Sequence, residues 1–213
     1  MPRGFFITFE GIEGSGKTTQ AEILYRTLIS RGYPVQFTRE PGGTEISEKI
    51  RNVLLDRANI GMAPWTELLL YLASRAQLVH EVILPSLQEG KVVLADRFLD
   101  STLAYQGGGR GIDWKSIEKL NRLLLFDCKP DITLLFDLPT QEGKERIFSR
   151  RRKDRLEEEG EDFYARVRNA YLRIAHKNPL RVRVINGTQE EGAIGKEVLR
   201  IVEERLKKVE LSS

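Results

Sequence analysis

Apolar residues along this chain fall into two alternating kinds of run. Short, nearly unbroken stretches rich in β-branched and aromatic residues occupy 5–10, 34–39, 92–96, 131–137 and 182–185. Runs that are apolar throughout suit strands covered on both faces. Between them, apolar residues recur at three- and four-residue spacing over 17–30, 45–55, 66–87, 114–125, 141–150, 162–176 and 189–209, the period of amphipathic helices. Strands that alternate with long helices predict repeated βαβ units. The expected class is therefore α/β, with a parallel sheet of about five strands and helices on both faces.

Composition narrows the picture without naming a chemistry. No internal repeat or Ser/Gly/Pro linker interrupts the pattern, and 213 residues suit one domain over 1–213. With 40% hydrophobic and 31% charged residues, and 18 Gly and 8 Pro spread along the chain, disordered and collagen-like classes are excluded. The net charge of +3 is the small remainder of 34 basic and 31 acidic side chains, so no nucleic-acid partner is implied. A lone cysteine, Cys128, rules out an intrachain disulfide and a Cys-built zinc site, and fits a reducing cytoplasm. No apolar run approaches the roughly 18 residues of a membrane span, so no membrane association is expected.

Chemistry enters at Gly11-Ile12-Glu13-Gly14-Ser15-Gly16-Lys17-Thr18. It matches Gly-x-x-x-x-Gly-Lys-Ser/Thr directly after a predicted strand and directly before a predicted helix, the context the phosphate-binding loop requires. Glycines let successive backbone N–H groups wrap phosphates, and the helix N-terminus adds partial positive charge. Lys17 would bridge phosphate oxygens, the Thr18 hydroxyl would ligate Mg²⁺, and Thr19 continues the loop; the expected ligand is ATP. A carboxylate for the metal is expected at the end of a neighbouring strand, and Val92-Val93-Leu94-Ala95-Asp96 ends in one.

A phosphate-binding loop alone does not separate a kinase from an ATPase or a switch. The chain lacks an Asn-Lys-x-Asp guanine-reading sequence and an Asp-x-x-Gly after the Asp96 strand. It does carry arginines in the loops after strands: Arg39, Arg97, and the group Arg150, Arg151, Arg152 and Arg155. In an open parallel sheet these loops face one crevice. Transfer of a phosphoryl group between two anionic nucleotides needs a second phosphate clamp, whereas a switch or binding module needs none.

The chain resembles the thymidylate kinase family over nearly its whole length. The residues that carry the resemblance are 9–20 with the phosphate loop, Thr38-Arg39-Glu40-Pro41-Gly42-Gly43-Thr44, the stretch from Glu67 to Arg75, and Asp96-Arg97-Phe98-Leu99-Asp100-Ser101-Thr102-Leu103-Ala104-Tyr105-Gln106-Gly107. The resemblance implies a nucleoside monophosphate kinase fold with a mobile lid, a cytoplasmic homodimer, and ATP- and Mg²⁺-dependent phosphorylation of dTMP to dTDP, a step of dTTP synthesis. It also implies an acceptor site. Arg39 and Arg97 would hold the dTMP phosphate, and Arg75 would reach thymine O4. Tyr71 would stack on the base where the family usually has Phe, Ser101 would meet the base edge, and Gln106 would be among the dTMP-binding residues. Tyr105 would pack on the deoxyribose and exclude ribonucleotides, and Glu13 would approach the sugar 3′-hydroxyl or the metal. The Glu40–Pro41 bond is expected to be cis, and Asn186-Gly187-Thr188 would border the adenine. A monophosphate kinase acting on dUMP remains the alternative within enzymes.

The stretch from Lys144 to Arg155 places seven basic side chains among twelve residues, and by resemblance the segment 144–162 is a lid. Some members of the family carry an arginine in the phosphate loop; here Gly14 follows Glu13, and the resemblance to bacterial-type members implies that an arginine from the lid reaches the transferring phosphoryl group. Arg155 and Arg151 are the expected catalytic residues there, alongside Lys17, Arg97 and Glu13.

Overall fold

The computed structural model describes residues 4–124, 128–148 and 155–210. Five strands, β1 (Phe5–Gly11), β2 (Val35–Arg39), β3 (Val92–Asp96), β4 (Ile132–Asp137) and β5 (Val182–Asn186), form one all-parallel sheet in the order β2-β3-β1-β4-β5. Each strand lies within a residue of its expected bounds. From β1 the chain runs to the β2 edge, returns through β3, and then crosses β1 to β4 and β5. The carboxyl end of β1 is therefore the point where the winding reverses, which is where open α/β sheets bind ligands.

The helices are α1 (Lys17–Ser30), α2 (Glu45–Leu55), α3 (Pro64–Leu78), α4 (Leu84–Gln88), α5 (Leu99–Thr102), α6 (Trp114–Leu124), α7 (Thr140–Phe148), α8 (Glu161–Lys177) and α9 (Glu191–Glu210). None of the helices among the described residues is long and apolar enough to cross a membrane. The period of two along β1 sorts its side chains between two layers. Phe5, Ile7 and Phe9 pack with Leu24 and Leu28 of α1 and Val198 and Val202 of α9. Phe6 faces the opposite layer, against Leu78, Val79, Ile83 and Phe98. Thr8 and Glu10 share the parity of Phe6 and are fully buried polar residues. Thr8 Oγ1 meets Thr133 Oγ1 at 2.8 Å.

Two features depart from the expected helices, both through π-helical turns. The helix expected over 66–87 is divided by a π segment at Val79–Ile83. Pro85 follows it and lacks the N–H that would close an ordinary turn on Glu81; instead the Leu84 N–H reaches the carbonyl of Val79. A second π segment, Leu103–Gly109, follows α5 where the sequence pattern predicted no helix. Three consecutive glycines end it, and they let α8 approach closely: a Cβ at Gly109 would stand 2.5 Å from the Phe163 ring and one at Gly108 2.5 Å from Ala170 Cβ. That contact fixes the segment bearing Tyr105 and Gln106.

Candidate active site

β1 delivers the phosphate loop to the winding point, and α1 begins at Lys17 immediately after it. Gly14 and Gly16 take left-handed conformations, φ 76° and 86°, which curl the loop and turn its N–H groups inward. Lys17 is buried; its Nζ donates to the Ile12 carbonyl at 3.4 Å and lies 3.6 Å from Glu13 Oε2. Burial, together with nearby Arg97, pulls the ammonium below the usual lysine range.

Two cavities open here. One, of about 550 Å³, is lined by residues 13–20, Arg146, Gly187, Thr188 and the start of α9. The other, of about 230 Å³, is lined by Arg39, Tyr71, Arg75, Arg97, Ser101, Thr102, Tyr105 and Gln106 among others. Glu13, Lys17 and Thr18 belong to both walls. Gly11 and Ile12 lie buried beneath the loop and line neither cavity.

At the junction Thr18 Oγ1 donates to Asp96 Oδ2, while Asp96 Oδ1 is buried and has no hydrogen-bond partner. A hydroxyl beside a carboxylate with one uncommitted buried oxygen suits a hard cation that fills its remaining positions with water and phosphate oxygens.

Arg97 follows Asp96 with φ 73°, the one non-glycine residue with positive φ among those described. Its Nη2 donates to Glu13 Oε1 and, at 3.1 Å, to the Tyr105 hydroxyl. Nη1 donates to the Gly11 carbonyl (3.1 Å), Ser101 Oγ (3.1 Å) and Tyr171 Oη (3.2 Å). The guanidinium carbon sits 4.9 Å above the Tyr105 ring. Burial pushes the Tyr105 phenol well up, so it remains a neutral donor.

Arg39 and Arg75, on the same smaller cavity, are differently placed. Arg39 forks onto Glu48 at 3.0 and 3.1 Å with both side chains largely in solvent. Arg75 is fully buried. It donates to both Glu40 oxygens, to Asn121 Oδ1 and to the Phe98 carbonyl, at 2.6 to 3.0 Å. Of its five N–H donors these contacts leave one on Nη1 uncommitted, and the side chain lines the smaller cavity. The Glu40–Pro41 bond is cis.

A scan against protein-family models matches residues 9–198 to the thymidylate kinase model. The chain belongs to the thymidylate kinase family. It is 49% identical over 205 residues to the thymidylate kinase of Pelotomaculum thermopropionicum, covering 96% of this chain and 95% of that protein. It is 51% identical over 191 residues to that of Pelobacter propionicus, covering 87% of each. The crystal structure of the Ehrlichia chaffeensis thymidylate kinase superposes with a TM-score of 0.76 at 40% identity, covering 94% of this chain and 99% of that one.

Three residues expected at the site have partners within the fold. Ser101 lines the cavity, but its hydroxyl is taken by Glu10 Oε2, Tyr171 and Arg97. The uncommitted hydroxyl on that wall is Thr102 Oγ1, which is buried without a partner. Gln106 also lines the cavity, with its amide anchored to Glu67 Oε1 at 2.9 Å.

Arg155 does not face the phosphate loop. It is buried, donates through Nε to the Leu54 carbonyl at 2.8 Å, and pairs with Glu67 Oε2 at 2.7 Å. Arg110 holds the same carboxylate at 3.1 Å. Burial would raise Glu67, but Arg110, Gln106 and Arg155 outweigh it and hold the acid below the usual carboxylate range. Arg150, Arg151 and Arg152 lie outside the described residues, so the expectation of a lid arginine rests there.

Sequence reasoning passed over Glu10, Glu67, Tyr171 and Arg146. The last donates to the carbonyls of Gly14 and Gly187, both at 3.3 Å, on the wall of the larger cavity. Its only sequence signal was membership of a basic run.

Arg155→Ala is expected to act on stability rather than chemistry. Stripping one cation from a buried carboxylate that keeps two other partners should cost about 2 kcal/mol, a fall of about 4–8 °C in melting temperature, read by calorimetry. A variant with unchanged melting temperature and a collapsed kcat would restore a chemical role to Arg155.

Proposed function

We propose that this thymidylate kinase transfers the γ-phosphoryl group of ATP to dTMP, giving ADP and dTDP. The observation that carries the proposal is that two cavities, one built by the phosphate loop and one holding two re-directable arginines, share Glu13, Lys17 and Thr18 as a common wall. A donor and an acceptor phosphate laid along the cavities converge on Lys17.

In this reading the loop N–H groups and Lys17 hold the β- and γ-phosphates, and Gly187, Thr188 and Arg146 border the adenine. Lys17, desolvated and depressed, regains its full charge as anionic oxygens arrive. Thr18 and Asp96 would hold Mg²⁺, which neutralises charge on the transferring phosphates when bound. Arg39 leaves an exposed ion pair, worth about 0–1 kcal/mol, for the bidentate geometry of a phosphate. Arg97 exchanges Glu13 for the same phosphate, which frees Glu13 for the sugar 3′-hydroxyl. The metal, the lid arginine Arg151 and these residue roles are part of the proposal.

Base selection follows from donors and acceptors. Arg75 offers only N–H, which suits thymine O4 and opposes the cytosine amino group. The orphaned Thr102 hydroxyl can accept the N3–H, and Tyr71 covers the base plane. Tyr105 packs where a 2′-hydroxyl would project. Only a methyl separates dUMP from dTMP, and a methyl is worth about 1–3 kcal/mol in such a pocket.

We also propose a homodimer formed through α2 and α3. Ile46 and Val53 on α2, and Trp65 and Leu69 on α3, are each about half exposed and recur at helical spacing on adjoining helices.

ADP release with ATP, Mg²⁺ and a panel of acceptors tests the activity. We expect fast turnover with dTMP, kcat/KM reduced about tenfold or more for dUMP, and none above background for dCMP or UMP. Equal slow ADP release with every acceptor and with none would replace the kinase by a nucleotide-hydrolysing switch. For the assembly, sedimentation should give a dimer that Leu69→Glu converts to monomer; an unchanged mass for the variant would put the interface elsewhere.

A further inference from the structure

Glu10 carries a buried carboxylate outside the proposed chemistry that accepts four hydrogen bonds. The period of two along β1 turns it away from the α1–α9 layer and under the β3–α5 turn, where it is fully buried. Its Oε1 accepts the backbone N–H of Phe98 at 2.8 Å and that of Ser101 at 3.3 Å. Its Oε2 accepts the hydroxyls of Ser101 at 2.5 Å and Tyr171 at 2.9 Å. The first N–H belongs to the residue after Arg97 and the second to α5, and both hydroxyl oxygens in turn accept from Arg97 Nη1.

We infer that Glu10 is a positioning residue for Arg97, acting on its backbone through the Phe98 N–H and on its guanidinium through the hydroxyls of Ser101 and Tyr171. The inference rests on the reading of Arg97 as a ligand of the acceptor phosphate. Two physical arguments support it.

Arg97 holds a left-handed conformation, φ 73°, which a residue with a Cβ keeps only where its surroundings fix it. The charge-assisted bond from the next N–H to Glu10 is that fixture. The second argument concerns polarity. Above about pH 7, where Glu10 is ionised, its carboxylate only accepts, so both hydroxyls donate to it and turn lone pairs toward the guanidinium. A glutamine amide at this place would donate to one of them, reversing its O–H against the N–H groups of Arg97.

The charges around Glu10 fit this service. Arg97 and Asp100 face it from the β3–α5 turn, Lys17 from α1, Tyr105 from the π segment, Tyr171 from α8 and Arg181 from the start of β5. Burial and Asp100 push Glu10 up to about 7, while the Ser101 bond and Arg97 pull the other way. Asp100 is itself engaged by Arg181 at 2.6 and 2.9 Å, and Arg97 is the cation that the two hydroxyls bridge to Glu10.

A double-mutant cycle decides the matter, with kcat and KM from steady-state kinetics and the dTMP Kd from calorimetry for the wild type, Glu10→Gln, Arg97→Lys and the double variant. Glu10→Gln should lower kcat/KM about tenfold or more and weaken dTMP binding. Its melting temperature at pH 8 should be no lower than the wild type's, because the change removes a buried charge. In the Arg97→Lys background the same change should cost less than about twofold. An undiminished effect there, or wild-type constants for Glu10→Gln, overturns the inference while an impaired Arg97→Lys leaves the site reading standing. Wild-type constants for Arg97→Lys overturn the site reading and the inference with it. If Glu10→Gln fails to fold, Tyr171→Phe runs through the same cycle: a few-fold loss that vanishes with Arg97→Lys supports the relay, and a loss that persists overturns it.

Discussion

Bringing two polyanions into contact requires cations that stand ready, desolvated and aimed before either nucleotide arrives. Arg97 meets that constraint through the chain's own geometry. It leaves β3 directly after Asp96 in a left-handed conformation, which turns its side chain back across the phosphate loop to the Gly11 carbonyl and Glu13. The hydroxyls of Ser101, Tyr105 and Tyr171 then surround the guanidinium. Those tyrosines come from the π segment and α8, and the two are held together by the glycine contacts at 108 and 109. One side chain thus ties the sheet, the loop and the helical layer above it to the place where charge must be neutralised.

Carboxylates keep these cations in place while phosphate is absent. Arg39 rests on Glu48, Arg97 on Glu13, and Lys17 near Glu13 as well. The Arg39 pair is exposed and cheap to break, whereas the Arg97 pair is largely buried and breaks only against an anion that binds better. Arg75 and Arg155 show the opposite arrangement. Their carboxylate partners, Glu40 and Glu67, are buried with them, so these pairs fix walls and do not exchange. In the proposed site, a partner that keeps some exposure marks the arginines that exchange, and full burial of both partners marks those that hold the site's shape.

The sheet, its parallel sense and the phosphate loop were legible in the sequence because each depends on local signals: apolar runs, helical spacing, and glycines followed by Lys17 and Thr18. The wall of the smaller cavity was legible only through the family's motifs, since Arg39 ends β2, Tyr71 and Arg75 share α3, and Arg97 follows β3. What escaped were long-range pairings. Glu10 at the end of a strand reads as an ordinary charge until the β3–α5 turn is folded over it. Arg155 read as a lid cation because its partner Glu67 lies 88 positions earlier in the chain. The π segment at 103–109 escaped because glycines argue against a helix locally, and only the approach of α8 makes them useful.

In the proposed site the dTMP phosphate takes Arg97 from Glu13 and Arg39 from Glu48. A crystal structure of the protein with dTMP bound tests it most directly. The account predicts both guanidinium groups on the dTMP phosphate, with the Glu13 carboxylate turned to the sugar and the bonds from Arg97 to Ser101 and Tyr171 retained. A bound dTMP whose phosphate is held by other residues, with the Arg97–Glu13 and Arg39–Glu48 pairs intact, would contradict it.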